Sequence, residues 1–107
     1  MKPSAIIILG EASIPVARQI QTALPATVLY GLVGRTQSAE VIYTNFGETV
    51  RELFQTRTPI IGICASGILI RTLAPLLTNK WQEPPVLAIA EDGSAVVPLL
   101  GGLQGCQ

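Results

Sequence analysis

The stretch Pro59-Ile-Ile-Gly-Ile-Cys-Ala-Ser-Gly-Ile-Leu-Ile-Arg-Thr-Leu-Ala-Pro-Leu-Leu77 decides how the rest of the chain is read. Residues 59–63 are a continuous apolar run, the pattern of a strand covered on both faces and therefore central in its sheet. A turn of small residues then leads directly into an apolar segment with helical spacing. A strand that runs straight into a helix leaves the first N–H groups of that helix unpaired above the sheet edge, where an anion is favoured. Residues 66–77 are apolar nearly all round, which predicts a buried helix. Pro75 has no N–H to donate and its ring crowds the carbonyl of Arg71, so the helix should kink or restart there.

Outward from this stretch, short β-branched runs alternate with helical periodicity. Residues 5–9 read as the first strand. Ser13, as N-cap with Pro15 in the first turn, opens a helix whose apolar positions Val16, Ala17, Ile20, Ala23 and Leu24 share a face, and Pro25 ends it. Residues 27–30 and 40–43 are further strands, separated by a polar and therefore exposed stretch over residues 34–38. Asn45 and Glu48 have capping-box spacing before a helix with Val50, Leu53 and Phe54 as its buried stripe, while Arg51 and Gln55 face solvent. Residues 86–90 and 95–100 are strands joined by Glu91-Asp92-Gly93-Ser94, and Asp-Gly is a hairpin signal. The pattern predicts a three-layer α/β fold, an open and mostly parallel sheet of the Rossmann or flavodoxin type, with a C-terminal β-hairpin.

The 107 residues make one domain, able to bury roughly two thirds of its unfolded surface. Hydrophobic residues are 49% of the chain and charged residues 13%, against about one quarter charged in soluble domains generally. Apolar surface is therefore expected to remain for a partner near the C-terminal end, either in a homodimer or against a missing domain. Lys plus Arg equals Asp plus Glu, seven each, so no field exists to hold nucleic acid. No run of about twenty apolar residues is present to span a membrane, and residues 5–9 are too short for a signal peptide, so the expected location is the cytoplasm. Cys64 and Cys106 with no histidine supply neither a disulfide framework nor metal-ligand spacing, and no bound cofactor is expected.

Four groups can carry chemistry. Ser66 can cap the helix while Gly67 admits a ligand closely, although an ordinary strand-to-helix turn would look the same. Arg71 lies one helical turn further on in a segment otherwise without charge. Buried there, it must be paired, with a ligand carboxylate or with Glu91 or Asp92. Glu91 and Asp92 are adjacent carboxylates, one of which can act as general base for water, while turn chemistry alone also explains an acid before glycine. Gly101 and Gly102 permit a second close backbone approach. Lys80 sits in a polar loop and reads as solvated, and Cys64, without a histidine partner, is a poor nucleophile.

Taken with Lys80, Glu83-Pro84-Pro85, Glu91-Asp92-Gly93 and Val96-Val-Pro-Leu-Leu-Gly-Gly102, the run from Gly62 to Leu77 resembles the N-terminal domain of the CbiG-type cobalamin-biosynthesis proteins. The resemblance covers about residues 48–105 through many ordered positions, and the first forty-odd residues fit it loosely. It implies action on a cobalt corrinoid: opening of the ring A δ-lactone of cobalt-precorrin-5A and release of acetaldehyde. Cobalt would then arrive within the substrate, and its acetate and propionate arms would meet Ser66, Gly67, Arg71, Gly101 and Gly102, with Glu91 and Asp92 as catalytic candidates. It also implies a further domain, and in some relatives fusion to a precorrin-3B C17-methyltransferase. The family continues after the paired glycines with histidine and a Gly-Ala-Asn helix start, where this chain has Leu103, Cys106 and Gln107, which argues against autonomous catalysis. With too few residues after Gly102 for a last helix, the chain reads as a fragment of a longer protein. The rival readings are a non-catalytic corrinoid-binding or assembly domain, and a small phosphate- or nucleotide-binding domain, the latter weakened by the absence of Gly-x-Gly-x-x-Gly and P-loop spacings.

Overall fold

A computed structural model describes residues 3–77 and 84–100. Its strands are β1 (Ser4–Ile8), β2 (Thr27–Leu32), β3 (Val41–Tyr43), β4 (Ile60–Ile63), β5 (Val86–Ile89) and β6 (Val96–Leu100), and its helices α1 (Ile14–Ala23), α2 (Phe46–Gln55) and α3 (Ser66–Leu73). They form one sheet in the order β3-β2-β1-β4-β5-β6. All neighbours are parallel except β5 and β6, which pair antiparallel. The expected three-layer α/β architecture, with a central fourth strand and a hairpin at one edge, is what the chain adopts.

Layering follows from connection handedness. From β1 the chain steps outward to β2 and β3, then returns past β1 to β4 and continues the other way to β5. A right-handed crossover places its helix on opposite faces for these two directions. Accordingly α1 packs with Ile6, Ile8, Leu29, Ile61, Ile63 and Ile89. The α2 and α3 helices cover the other face, where Ala5, Ile7, Ile60 and Val86 join Val50, Leu53, Leu69 and Leu73. Successive residues of a strand point to opposite faces, so Ala5-Ile-Ile-Ile8 must be apolar throughout to serve both cores.

The structure corrects several local expectations. Ser13 does not cap α1 with its side chain. It is buried at the end of a 3-10 turn, Glu11–Ser13, that follows Gly10. Leu24 is half exposed, because α1 ends at Ala23 and carries Leu24 beyond the sheet. Arg51 is exposed, yet its Nε donates to the Thr72 carbonyl at 3.1 Å, tying α2 to α3. The Asn45 cap is as expected, its Oδ1 accepting from Glu48 N at 2.9 Å. The largest departure is α3, which buries only Leu69 and Leu73 and leaves Ile70 51% exposed. A helix lying on a sheet can bury one stripe, however apolar the rest. It stops at Leu73, and a 3-10 turn, Ala74–Leu76, takes over around Pro75. Exposed Val96 and Val97 on β6 put apolar surface at the C-terminal edge.

Between β2 and β3 no helix forms, and side chains do its work. Thr36 is buried in a stretch expected to be exposed. It packs where a side chain on Gly31 would otherwise lie. Glu11 accepts from Gln37 N and Ser38 N. Glu40 bonds Arg18 at 3.0 Å, Gln21 at 2.8 Å and the Leu29 N–H at 3.0 Å, so its carboxylate prolongs the β2 edge where β3 has not yet begun. Desolvation pushes its pKa upward, but the bonds from Gln21, Leu29 and Arg18 outweigh it and hold the carboxyl below its ordinary range.

A Cβ on Gly31 would stand 2.5 Å from Thr36 Cγ2 and 2.8 Å from Ala39 Cβ. Gly31→Ala should therefore destabilise the domain by about 1–3 kcal/mol through overpacking. Urea unfolding reads this directly, and an unchanged midpoint would show that the loop does not rest on β2.

Candidate functional site

The outward and returning halves of the sheet part between β1 and β4. In open α/β sheets this switch point, beyond the carboxyl ends of the strands, is where a crevice forms. Ile8 is paired with Ile63 and Ile63 with Ile89, so the turns that leave β1, β4 and β5 emerge side by side. One strand over, between the turns that follow β4 and β5, a crevice of about 440 Å³ opens, lined by Cys64, Ala65, Ala90, Glu91 and Asp92. Residues far apart in sequence, the strand-to-helix turn and the acidic hairpin, thus share one site.

Within that site the individual side chains differ from expectation. Ala65, not Ser66, occupies the N-cap of α3, and no side chain caps the helix. Extended backbone persists through Ala65, at φ −63° and ψ 134°, so Ser66 falls inside the first turn. The first N–H groups of α3 are thereby left without a side-chain acceptor. Arg71 is exposed rather than buried. It has no ion pair with Glu91 or Asp92 among the described residues. One of its guanidinium nitrogens lies 3.7 Å from where a Cβ on Gly67 would be, so the side chain folds back along the outer face of α3 toward that first turn. Ser66, Gly67 and Arg71 are together, beside the crevice rather than lining it. Lys80, Glu83, Gly101, Gly102, Leu103, Cys106 and Gln107 lie outside the described residues.

The two carboxylates separate in role. Asp92 Oδ1 accepts from Ser94 N at 2.9 Å, and the turn closes with Gly93 N donating to Ala90 O at 2.8 Å. Gly93 has φ +78°, a conformation that glycine adopts without strain. The bonds to Ser94 hold the Asp92 carboxyl below its ordinary range, so this residue builds the turn. Glu91 is exposed, makes no hydrogen bond among the described residues, and stands close enough to Cys64 to disfavour its thiolate.

Cys64, read from the sequence as a poor nucleophile, lines the crevice, and Tyr43 is a buried polar group that the sequence does not mark. Cys64 is buried and free, and burial together with the Glu91 charge pushes its thiol up to about 11. Tyr43, also buried, donates its phenol O–H to the Ile8 carbonyl at 2.7 Å. Burial and then the Cys64 charge raise its pKa above the ordinary value. Its partner is a backbone carbonyl two strands away, for which the sequence holds no signal. A second groove, between α3 and β6, is lined by Leu69, Ile70, Leu73, Leu77, Leu99 and Leu100 and has no polar side chain with which to bind an anion. Among the described residues no three His, Cys, Asp or Glu side chains stand together as a metal site, and no helix is long and apolar enough to cross a membrane.

Comparison with known proteins matches residues 48–107 to the family model described as cobalamin synthesis G N-terminal. The chain is 34% identical over 98% of its length to a cobalt-precorrin-5A hydrolase of Salmonella typhimurium, and it spans 30% of that protein. Its fold superposes with a TM-score of 0.65 on a solved cobalamin biosynthesis protein G homolog from Sulfolobus solfataricus, at 20% identity, covering 92% of this chain and 29% of the other.

A thiol with its pKa raised from 9.0 to about 11 is protonated at neutral pH, and the folded chain loses stability as pH rises from the lower value through the higher, where the unfolded chain gives up a proton that the folded chain keeps. In the native chain, alkylation of Cys64 should be slow at pH 8 and accelerate only above about pH 10. Glu91→Gln should move the onset to lower pH. A rate profile centred on the ordinary cysteine value would contradict the geometry of the crevice floor.

Proposed function

Because the chain belongs to the family of cobalamin synthesis G N-terminal domains, we propose that it serves cobalamin biosynthesis as part of a cobalt-precorrin-5A hydrolase, seating the corrinoid at the crevice between the turns after β4 and β5. The observation that carries this reading is the identity to the Salmonella hydrolase across nearly the whole chain. The chain spans under a third of that relative, so the remainder of such a hydrolase is its natural partner and the complete site is shared with it. Such an enzyme works in the cytoplasm, and cobalt enters as part of the substrate.

The site supports the reading chemically. A corrinoid presents several carboxylate arms around an apolar macrocycle, and the uncapped N–H groups at the start of α3 with the Arg71 guanidinium suit one such arm. Hydrolysis of the ring A lactone needs a base to take a proton from water as its oxygen adds to the acyl carbon, and to return that proton to the alkoxide oxygen as the ring C–O bond breaks, leaving a carboxylic acid and an alcohol. Glu91, exposed at the crevice, is free for this task, whereas Asp92 is held by its own turn. In the rival role, as a non-catalytic corrinoid-binding domain, the same arms would be held and no acetaldehyde released.

Titration of the chain with cobalt-precorrin-5A, followed by the corrinoid visible spectrum and by an acetaldehyde assay, tests the proposal. Saturable spectral change is expected. Because the Arg71 guanidinium is exposed, Arg71→Ala should weaken binding by only about 1 kcal/mol, near fivefold. Glu91→Gln should leave affinity intact and lower any turnover by about a hundredfold or more. No spectral change at any concentration would sink the assignment.

A further inference from the structure

The edge strand β6 carries apolar surface that the domain leaves uncovered. Val97 is paired with Ala88 and Leu100 with Val86, and both partners belong to the core on the α2 and α3 side of the sheet. That face of β6 therefore continues the inner face of the sheet, but α3 reaches it only in part. What remains between them is an apolar groove of about 240 Å³. Ile70 and Leu77 on its helical side are 51% and 40% exposed, and Val97 on the strand is 45% exposed. Single apolar residues on a surface mean little, whereas a contiguous apolar patch around a groove marks an interface. The open edge of β6 is a poorer place for a partner than this face. Ala90 N donates to Ala95 O, so the bonded pairs fall at Ala90 with Ala95 and at Ala88 with Val97. Pro98, opposite Leu87 in the next pair, then turns its nitrogen outward. That nitrogen carries no hydrogen, so a further strand would find a donor missing there.

We propose that this groove seats the polypeptide that follows the domain in a cobalt-precorrin-5A hydrolase: a segment presenting an apolar stripe lies against Ile70, Leu77 and Leu100 and fixes the rest of the enzyme to this face. The inference rests on reading the chain as the N-terminal part of such a hydrolase. Residues 48–107 match a family model described as N-terminal, and the whole chain accounts for 30% of the Salmonella enzyme, so most of that enzyme lies beyond it. Strand β6 ends at Leu100, which is both a wall of the groove and the residue from which the chain runs on. A segment tethered there meets the groove at high effective concentration, an advantage that a second, separate copy does not share. The lining has no polar side chain, so the contacting stripe must be free of charge.

The test exchanges the matching part of the Salmonella hydrolase for this chain and compares the chimaera with the free chain. Ile70→Cys and Leu77→Cys, made one at a time, report on the groove, and Leu24→Cys, half exposed at the end of α1 on the other face of the sheet, is the control. Each is alkylated with iodoacetamide and read by mass spectrometry of its own peptide. In the chimaera the two groove cysteines should react about tenfold or more slowly than in the free chain, while Leu24→Cys keeps its rate. Equal rates in chimaera and free chain would overturn the proposal. Protection already present in the free chain, rising with concentration alongside a dimer in light scattering, would overturn it in favour of a second copy. If circular dichroism shows the chimaera unfolded, cysteines are placed in the intact Salmonella hydrolase at the positions aligned with Ile70 and Leu24. The first should then react about tenfold more slowly than the second, and equal rates would again overturn the docking. Release of acetaldehyde from cobalt-precorrin-5A by a chimaera with unprotected groove cysteines would keep the functional reading and discard the groove. Protection in a chimaera that neither binds nor turns over the corrinoid would keep the groove and count against the functional reading.

Discussion

Everything in this domain depends on burying β1 and β4 on both faces at once. Ile6, Ile7 and Ile8 are fully enclosed, as are Ile60 and Ile63 beside them. Each such side chain contributes about 1.5–3 kcal/mol when removed from water. A sheet with an apolar residue at every position of its middle strands is stable only between two layers of helix, and right-handed connections supply those layers only if the chain reverses direction across the sheet. The reversal point lies between the two most buried strands. The crevice lies one strand over, at the same carboxyl edge, between the turns after β4 and β5.

The thin places in the architecture show what happens when that rule is followed with too little chain. With no helix between β2 and β3, the connection is held by Glu11, Arg18 and Glu40, each bonding backbone or charge across the α1 side of the molecule. Gly31 is a glycine because the loop lies directly on β2, where Thr36 and Ala39 fill the space of a side chain. Similarly α3 is short, and its outward residues Ile68 and Ile70 remain exposed although they are as apolar as those it buries. Apolar character decides what can be inside, whereas geometry decides how much is.

At the crevice the same economy separates residues that look alike. Glu91 and Asp92 are neighbours of the same charge, but one has its carboxylate engaged by Ser94 and the other faces Cys64. The thiol sits at the end of a buried strand with a carboxylate nearby, and both conditions keep it protonated and quiet. A carboxylate at the mouth, a protonated thiol in the lining and helix N–H groups without a side-chain cap alongside give this otherwise apolar edge its polar character.

Local composition was enough to establish the strands, the helices, the Asn45 cap, the break at Pro75 and the Asp92-Gly93 turn, because each depends on backbone preferences acting over a few residues. The apolar run over residues 59–63 likewise announced a central strand, since only burial on both faces tolerates such a pattern. Tertiary structure alone decided the exposure of Arg71 and of the outer face of α3, because a helix on a sheet hides one stripe and the sequence does not say which residues fall beyond it. It alone separated Glu91 from Asp92, buried Thr36 against Gly31, and brought the Tyr43 hydroxyl to Ile8, 35 residues away. Those are contacts between atoms distant along the chain, and their energies exist only once the strands have been ordered side by side.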